Sequence, residues 1–199
     1  MKKVLHIISS PRGEASFSIK LGNAVVEKLL ARFPGSEVKS VNLLEGGVPH
    51  LEQTHLASFF TPADQRDADS LAAVKYSDEA IQDIIDADIL VIGAPLYNFG
   101  VHSSLKAWID QIIRAGITFS HSEKGAEGLI KGKKVYIAMS SGGIYSEGPW
   151  QSYDFVVPYL KHVLGFIGLT DITVFRVEGT NIPGTKETAL EKGIESVVI

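Results

Sequence analysis

Cysteine is absent from all 199 residues. That excludes disulfides, thiolate metal sites, iron–sulfur clusters and any cysteine-dependent phosphatase. An excess of basic charge is missing too: 19 Lys and Arg against 23 Asp and Glu leave a net charge of −4 and a pI near 5.9. There is no basic field for nucleic acid or an anionic membrane surface. Lys131-Gly-Lys-Lys134, the one basic cluster, reads as a solvated turn before a strand. Long apolar runs are also lacking. Residues 4–8 follow Lys2-Lys3 but are too short for a signal-peptide core, and no stretch approaches the roughly 20 apolar residues that span a bilayer. The expectation is a soluble cytoplasmic protein with no nucleic-acid or membrane partner. The six histidines show no metal spacing: His50 and His55 are five apart, no His-Glu-x-x-His occurs, and no metal is expected. His6 falls in a buried strand and reads as a satisfied core group. Without a G-x-S-x-G elbow, no Ser/His/Asp triad is supported.

What is present is a hydrophobic content of 45%, enough for a substantial core in one domain covering residues 1–199. Apolar runs at 4–8 and 89–92, and the segments 37–41, 134–139 and 172–177, read as strands. Helical spacing follows: Leu21, Val25, Leu29 and Phe33 lie four apart before Pro34-Gly35, and further helices are expected over 77–87, 101–115, 155–167 and 185–198. Residues 42–75 are irregular, with short helices expected at 55–60 and 63–75. Residues 116–121 lead into a polar loop. Five strands alternating with five helices predict an α/β, doubly wound, five-stranded parallel sheet of order 2-1-3-4-5.

Three strands of such a sheet end in unusual loops, which its order makes neighbours at the switch point where open α/β sheets bind ligands. The first carries Ser10, Ser16 and Ser18 where a helix begins. Free amides there, together with hydroxyls, suit a phosphate, although a single serine often only caps a helix. Arg12 adds a cation or stays solvated. The loop contains neither G-x-G-x-x-G nor Gly-Lys-Ser/Thr, so it is neither a Rossmann nor a P-loop site. The second loop, Pro95-Leu96-Tyr97-Asn98-Phe99, is aromatic yet framed by Gly93 and Gly100. Its rings suit the face of a flat heteroaromatic ligand, or serve as ordinary core side chains with Asn98 as a turn former. The third, Ser140-Ser141-Gly142-Gly143, lets a backbone approach closely, or is a plain strand-to-helix turn.

On these residues the chain resembles the FMN-dependent NAD(P)H azoreductases and quinone reductases of the flavodoxin-like superfamily. The resemblance rests on Ser9-Ser-Pro-Arg-Gly-x-x-Ser16-x-Ser18, Ala94-Pro-Leu-Tyr97-Asn98-Phe99, Leu105-Lys106 with Ile109-Asp110, and Arg114-Ala-Gly-Ile-Thr-Phe119. Ser140-Ser-Gly-Gly143 and Gly165-Phe166-Ile167-Gly168 complete a set that spans nearly the whole chain. It implies a flavodoxin-like fold with bound FMN, the phosphate held by Ser10, Ser16, Phe17 and Ser18. Pro95, Leu96, Tyr97, Asn98 and Phe99 would lie along the flavin ring, and Ser140, Ser141, Gly142 and Gly143 would meet its pyrimidine edge. It further implies NADH or NADPH as donor and quinones or azo compounds as acceptors, reduced by two-electron, ping-pong hydride transfer. A homodimer with two interfacial sites would give residues 42–75 a role, with Phe59, Phe60, Phe119, His121 and Phe166 lining the acceptor pocket. Two departures stand out: Leu96 replaces a usual Met, and His121 stands where some relatives carry an aromatic. Because the flavin carries the redox step, no obligatory protein acid or base is expected; Tyr97 and His121 are the candidates to assist protonation. The rival readings are a general FMN reductase with incidental azo activity, a flavodoxin-type electron carrier, and a flavin-free interaction domain.

Overall fold

A computed structural model describes residues 1–123 and 125–199. Five parallel strands form the central sheet: β1 (Lys3–Ile8), β2 (Glu37–Asn42), β3 (Ile89–Pro95), β6 (Lys134–Ser140) and β7 (Asp171–Val177). Their order is β2-β1-β3-β6-β7, the expected 2-1-3-4-5 once sheet strands alone are counted. Two further strands, β4 (Phe119–Ser122) and β5 (Gly125–Gly128), pair antiparallel as a separate hairpin where a polar loop was expected. The helices are α1 (Phe17–Arg32), α2 (Gln53–Phe60), α3 (Ala68–Asp86), α4 (Ser103–Ile112), α5 (Val157–Phe166) and α6 (Ala189–Glu195).

Alternation along the strands decides which helices cover which face. Leu5 and Ile7, Leu90 and Ile92, and Val135, Ile137 and Met139 join α3, α4 and α5 in one buried cluster. Val4, Ile89, Val91, Tyr136 and Ala138 point the other way, onto Leu21, Val25 and Leu29 of α1. β3 is buried throughout, as a central parallel strand covered on both faces should be.

Several boundaries depart from the sequence reading. Residues 63–75 and 77–87 are not two helices: one 19-residue helix runs through both, started by Asp67, whose carboxylate accepts the Ser70 N–H at 2.8 Å. Gly93, Ala94 and Pro95 extend β3 rather than opening a loop. α4 and α6 are shorter than their apolar periodicity suggested. The cluster at 131–134 is not merely solvated. Lys133 Nζ donates to the carbonyls of Ile85 and Ala87 at the end of α3, and burial holds its pKa below the usual lysine value. His6 is buried, but its Nε2 has no hydrogen-bond partner among the described residues, so it is not satisfied. Burial lowers its pKa to about 4.

Among the described residues no helix is long and apolar enough to cross a membrane, and no group of three His, Cys, Asp or Glu is placed to hold a metal.

Candidate cofactor site

The three loops meet, and a fourth joins them. Ser9 Oγ donates to the Gly93 carbonyl at 2.6 Å, fastening the first loop to β3. Ser16 is the N-cap of α1 and accepts the Ile19 N–H at 3.3 Å. Its hydroxyl lies 3.0 Å from that of Ser18. Ser10 accepts the Arg12 N–H at 3.4 Å, and all three serines are buried. Capping and anion binding are therefore compatible here. One hydroxyl takes one amide, and a helix start has further amides left for a ligand.

The second loop turns back sharply. Tyr97 N donates to the Gly100 carbonyl at 3.0 Å, and Gly100 N to that of Tyr97 at 2.9 Å. Between them Asn98 and Phe99 have φ of 49° and 67°, the pair of left-handed residues that defines a type I′ turn. Asn tolerates that region; Phe does not readily, and such strain costs on the order of 1–3 kcal/mol per residue. The outcome is an Asn and a Phe held outward at the strand end. Tyr97 Oη is buried without a hydrogen-bond partner among the described residues.

Leu96 N donates to Ser140 O at 2.8 Å, tying the second loop to the third. The third is pinned to residues after β7: Gly179 N donates to Gly143 O and Asn181 N to Gly142 O, both at 3.0 Å. The amides of Gly142 and Gly143 themselves have no intramolecular acceptor among the described residues. A Cβ at Gly142 would sit 2.5 Å from Asn181 Nδ2, so any larger residue requires the Asn181 side chain to move away.

These elements enclose a cavity of about 200 Å³ lined by Arg12, Ser16 and Phe17, by Pro95, Leu96 and Tyr97, and by Ser140, Ser141, Gly142, Thr180 and Asn181. Ser10 and Ser18 sit behind the first wall, while Phe99 and Gly143 face an adjoining recess of about 600 Å³. A recess of about 580 Å³ at the opposite rim is comparable in size, but it collects Lys2, Asp88, Lys134 and Asp171. Those four already pair with one another, Lys2 with Asp88 and Lys134 with Asp171. The loops converge on the smaller cavity, and so does the chemistry. Thr180 and Asn181 escaped the sequence reading. Their position just past the last strand, at the same rim, was the available signal.

The donor set fits FMN. Serine hydroxyls, a helix start and Arg12 suit a phosphate at one end; unpartnered amides and the Tyr97 hydroxyl suit ring carbonyls and nitrogens at the other.

The remaining predicted pocket residues lie elsewhere in this chain. Phe119 packs on His121 and Phe166, at centroid distances of 5.2 and 4.6 Å. Phe59 lies under the buried Arg114 guanidinium, 4.6 Å from its ring centroid, and Phe60 is 77% exposed. None of the five lines the cavity. Of the two protonation candidates, Tyr97 lines it and His121 does not.

A family model described as flavodoxin-like fold matches residues 2–198. An FMN-dependent NADH:quinone oxidoreductase of Herminiimonas arsenicoxydans is 47% identical over 179 residues, covering 90% of this chain and 88% of that protein. Among solved structures, an azoreductase from Bacillus anthracis str. Sterne superposes with a TM-score of 0.91 at 30% identity, covering 98% and 96% of the two chains. An FMN-dependent NADH-azoreductase from Bacillus anthracis str. Ames Ancestor, in complex with FMN, gives 0.87 at 28% identity over 98% and 97%.

Proposed function

The chain belongs to the family of flavodoxin-like fold, and on that premise we propose that it is an FMN-dependent NADH:quinone oxidoreductase that also reduces azo compounds. The carrying observation is the meeting of four loops at one rim, with Ser16 at a helix start and Gly142 of the third loop lining a single cavity. FMN, when bound, accepts and passes on a hydride. Ser16, backed by Ser10 and Ser18, and the start of α1 hold the phosphate, with Arg12 adding positive charge. Leu96, Tyr97, Asn98 and Phe99 orient the ring. The amides of Gly142 and Gly143 stabilise negative charge that develops at the pyrimidine edge, as fixed donors do best in a site from which water is excluded. Tyr97 lines the cavity, and its hydroxyl, without a hydrogen-bond partner among the described residues, would hold or donate a proton there. With Tyr97 lining the cavity and Phe99 the recess beside it, NADH and the acceptor would bind in turn at one site, which is ping-pong kinetics.

A homodimer extends the same reading. Phe60, Phe119, His121 and Phe166 lie off their own cavity, so they serve an acceptor pocket only across a two-fold axis. Residues 1–199 act as one FMN-binding domain, and the intracellular donor supports a cytoplasmic location.

The experiment is direct. The purified protein, as isolated or after FMN addition, is yellow, bleaches with NADH without oxygen, and regains colour on adding a quinone at a catalytic rate. A stable yellow protein that NADH does not bleach is an electron carrier; colourless material that FMN cannot reconstitute is neither. Asn98→Ala weakens flavin retention by about tenfold, and unchanged FMN affinity removes this wall from the site.

A further inference from the structure

The recess of about 600 Å³ beside the flavin cavity is within the size range of small-molecule sites. Phe99, Tyr145 and Trp150 wall it, Ile144 and Ile182 contribute aliphatic surface, and Glu147 carries its one negative charge. It continues from the flavin site: Gly143 belongs to the loop that meets the cavity, and Phe99 sits on the strained turn. The Phe99 ring lies 6.4 Å from Tyr145 and 5.7 Å from Tyr153, and Trp150 lies 5.3 Å from Tyr153. The loop that carries these aromatics is fixed at both ends by Arg176 of β7. Arg176 bonds Glu178 at 3.2 Å, and Glu178 accepts the Tyr145 N–H at 2.8 Å. Its other nitrogen bonds Asp154 at 2.6 Å, and Asp154 caps α5 through the Val156 and Val157 amides. This is a built recess held next to the reacting ring.

We propose that this recess is the acceptor's outer subsite, taking the distal rings of an uncharged fused-ring quinone. The inference rests on the oxidoreductase reading and adds a substrate class to it. Flat aromatic walls favour stacked or edge-on rings over aliphatic tails. Among the described residues no lysine or arginine lines the recess, so a pyrophosphate finds no counter-charge from them, and Glu147 disfavours sulfonated acceptors.

The test compares kcat/KM for phenanthrenequinone, benzoquinone, naphthoquinone and naphthoquinone sulfonate, with KM for NADH measured alongside. Trp150 is 58% exposed, so Trp150→Ala is expected to fold and retain flavin. It lowers the phenanthrenequinone-to-benzoquinone ratio about tenfold, and Glu147→Gln raises the sulfonate-to-parent ratio severalfold. A ratio unmoved in Trp150→Ala overturns the subsite. If KM for NADH rises instead, the recess holds the donor's adenine, and the proposal also fails. A wild-type protein that oxidises NADH with none of these acceptors sinks the oxidoreductase reading itself, a result distinct from unmoved ratios in an active enzyme.

Discussion

Buried polar atoms without partners occur in two regions of this molecule, and they mean different things. In the interior they are Arg114 Nε and Nη2, Gln111 Oε1 and His6 Nε2; at the rim there is Tyr97 Oη. Each unmade bond costs on the order of 1–3 kcal/mol. Of the interior groups, Arg114 and Gln111 are closed in and otherwise engaged. Arg114 bonds Ser77 at 3.1 Å, pairs with Asp78 and covers the Phe59 ring, while Gln111 donates to Pro49 O at 3.0 Å. Together they fasten the segment before α3 and helix α2 onto α3 and α4. Tyr97 packs its ring edge-on against His102 at 5.9 Å, but unlike the interior groups it also lines a cavity where four loops converge. An orphaned atom signals a missing partner, and the space beside it says whether that partner is a ligand.

The largest effect should separate the regions most clearly. Arg114→Ala removes the guanidinium from between Ser77, Asp78 and Phe59, and is expected to destabilise by about 3 kcal/mol, read as a lowered urea midpoint at fixed protein concentration. FMN affinity of the folded protein should change far less. An equally large loss of flavin binding breaks the distinction between interior pin and rim site.

His6 gives the next effect, through pH. Its pKa is 6.5 when free and about 4 in the fold. A depressed folded value means that the unfolded chain binds the proton first, so stability is full above pH 6.5 and falls as the pH drops toward 4. The loss from this group is about 3 kcal/mol between pH 7 and 4. Urea titrations of the wild type and His6→Leu across that window should show a shallower slope in the variant; parallel slopes place the acid sensitivity elsewhere.

How much of this was legible depends on where local chemistry and tertiary context agreed. The parallel sheet was readable because residues 89–92 and 135–139 are runs of apolar and aromatic residues, the mark of strands covered on both faces. The serine loop was readable because hydroxyls cluster where a helix starts. The hairpin was not: Phe-Ser-His-Ser and Gly-Ala-Glu-Gly have little strand propensity. It is placed by tertiary contact. Gly128 lies so close to the Gly168 backbone that an added Cβ would be 2.1 Å from its nitrogen. α3 was cut in two on the page because residues 64–67 are polar and Ser77 interrupts its apolar stripe; in the fold that serine is buried and bonds the Gln111 carbonyl. Asn98 as a turn former was legible, but left-handed Phe99 was not, since propensity argues against it. Asn181 was missed because nothing in its local sequence departs from a plain loop.

Gly142→Ala sharpens the comparison from the rim side. The added methyl collides with Asn181 Nδ2 and displaces that side chain, a lining group of the cavity proposed to hold FMN. FMN affinity should fall about tenfold, roughly 1.4 kcal/mol, while the urea midpoint of the flavin-free protein moves little. A larger loss of stability than of binding reassigns this loop to the scaffold.

Tyr97→Phe is the smallest effect and the most discriminating, because its sign depends on the ligand. In the flavin-free protein the hydroxyl is a buried group without a partner, so its removal is neutral or stabilising by up to about 1 kcal/mol. With FMN bound the same deletion takes away a bond and weakens retention by about 1 kcal/mol, some fivefold in Kd. Urea midpoints with and without saturating FMN measure both at once. An interior pin, by contrast, loses stability in both states by the same amount. If Tyr97→Phe destabilises the two states equally, then Tyr97 behaves like Arg114, and the cavity beside it is not what its hydroxyl was waiting for.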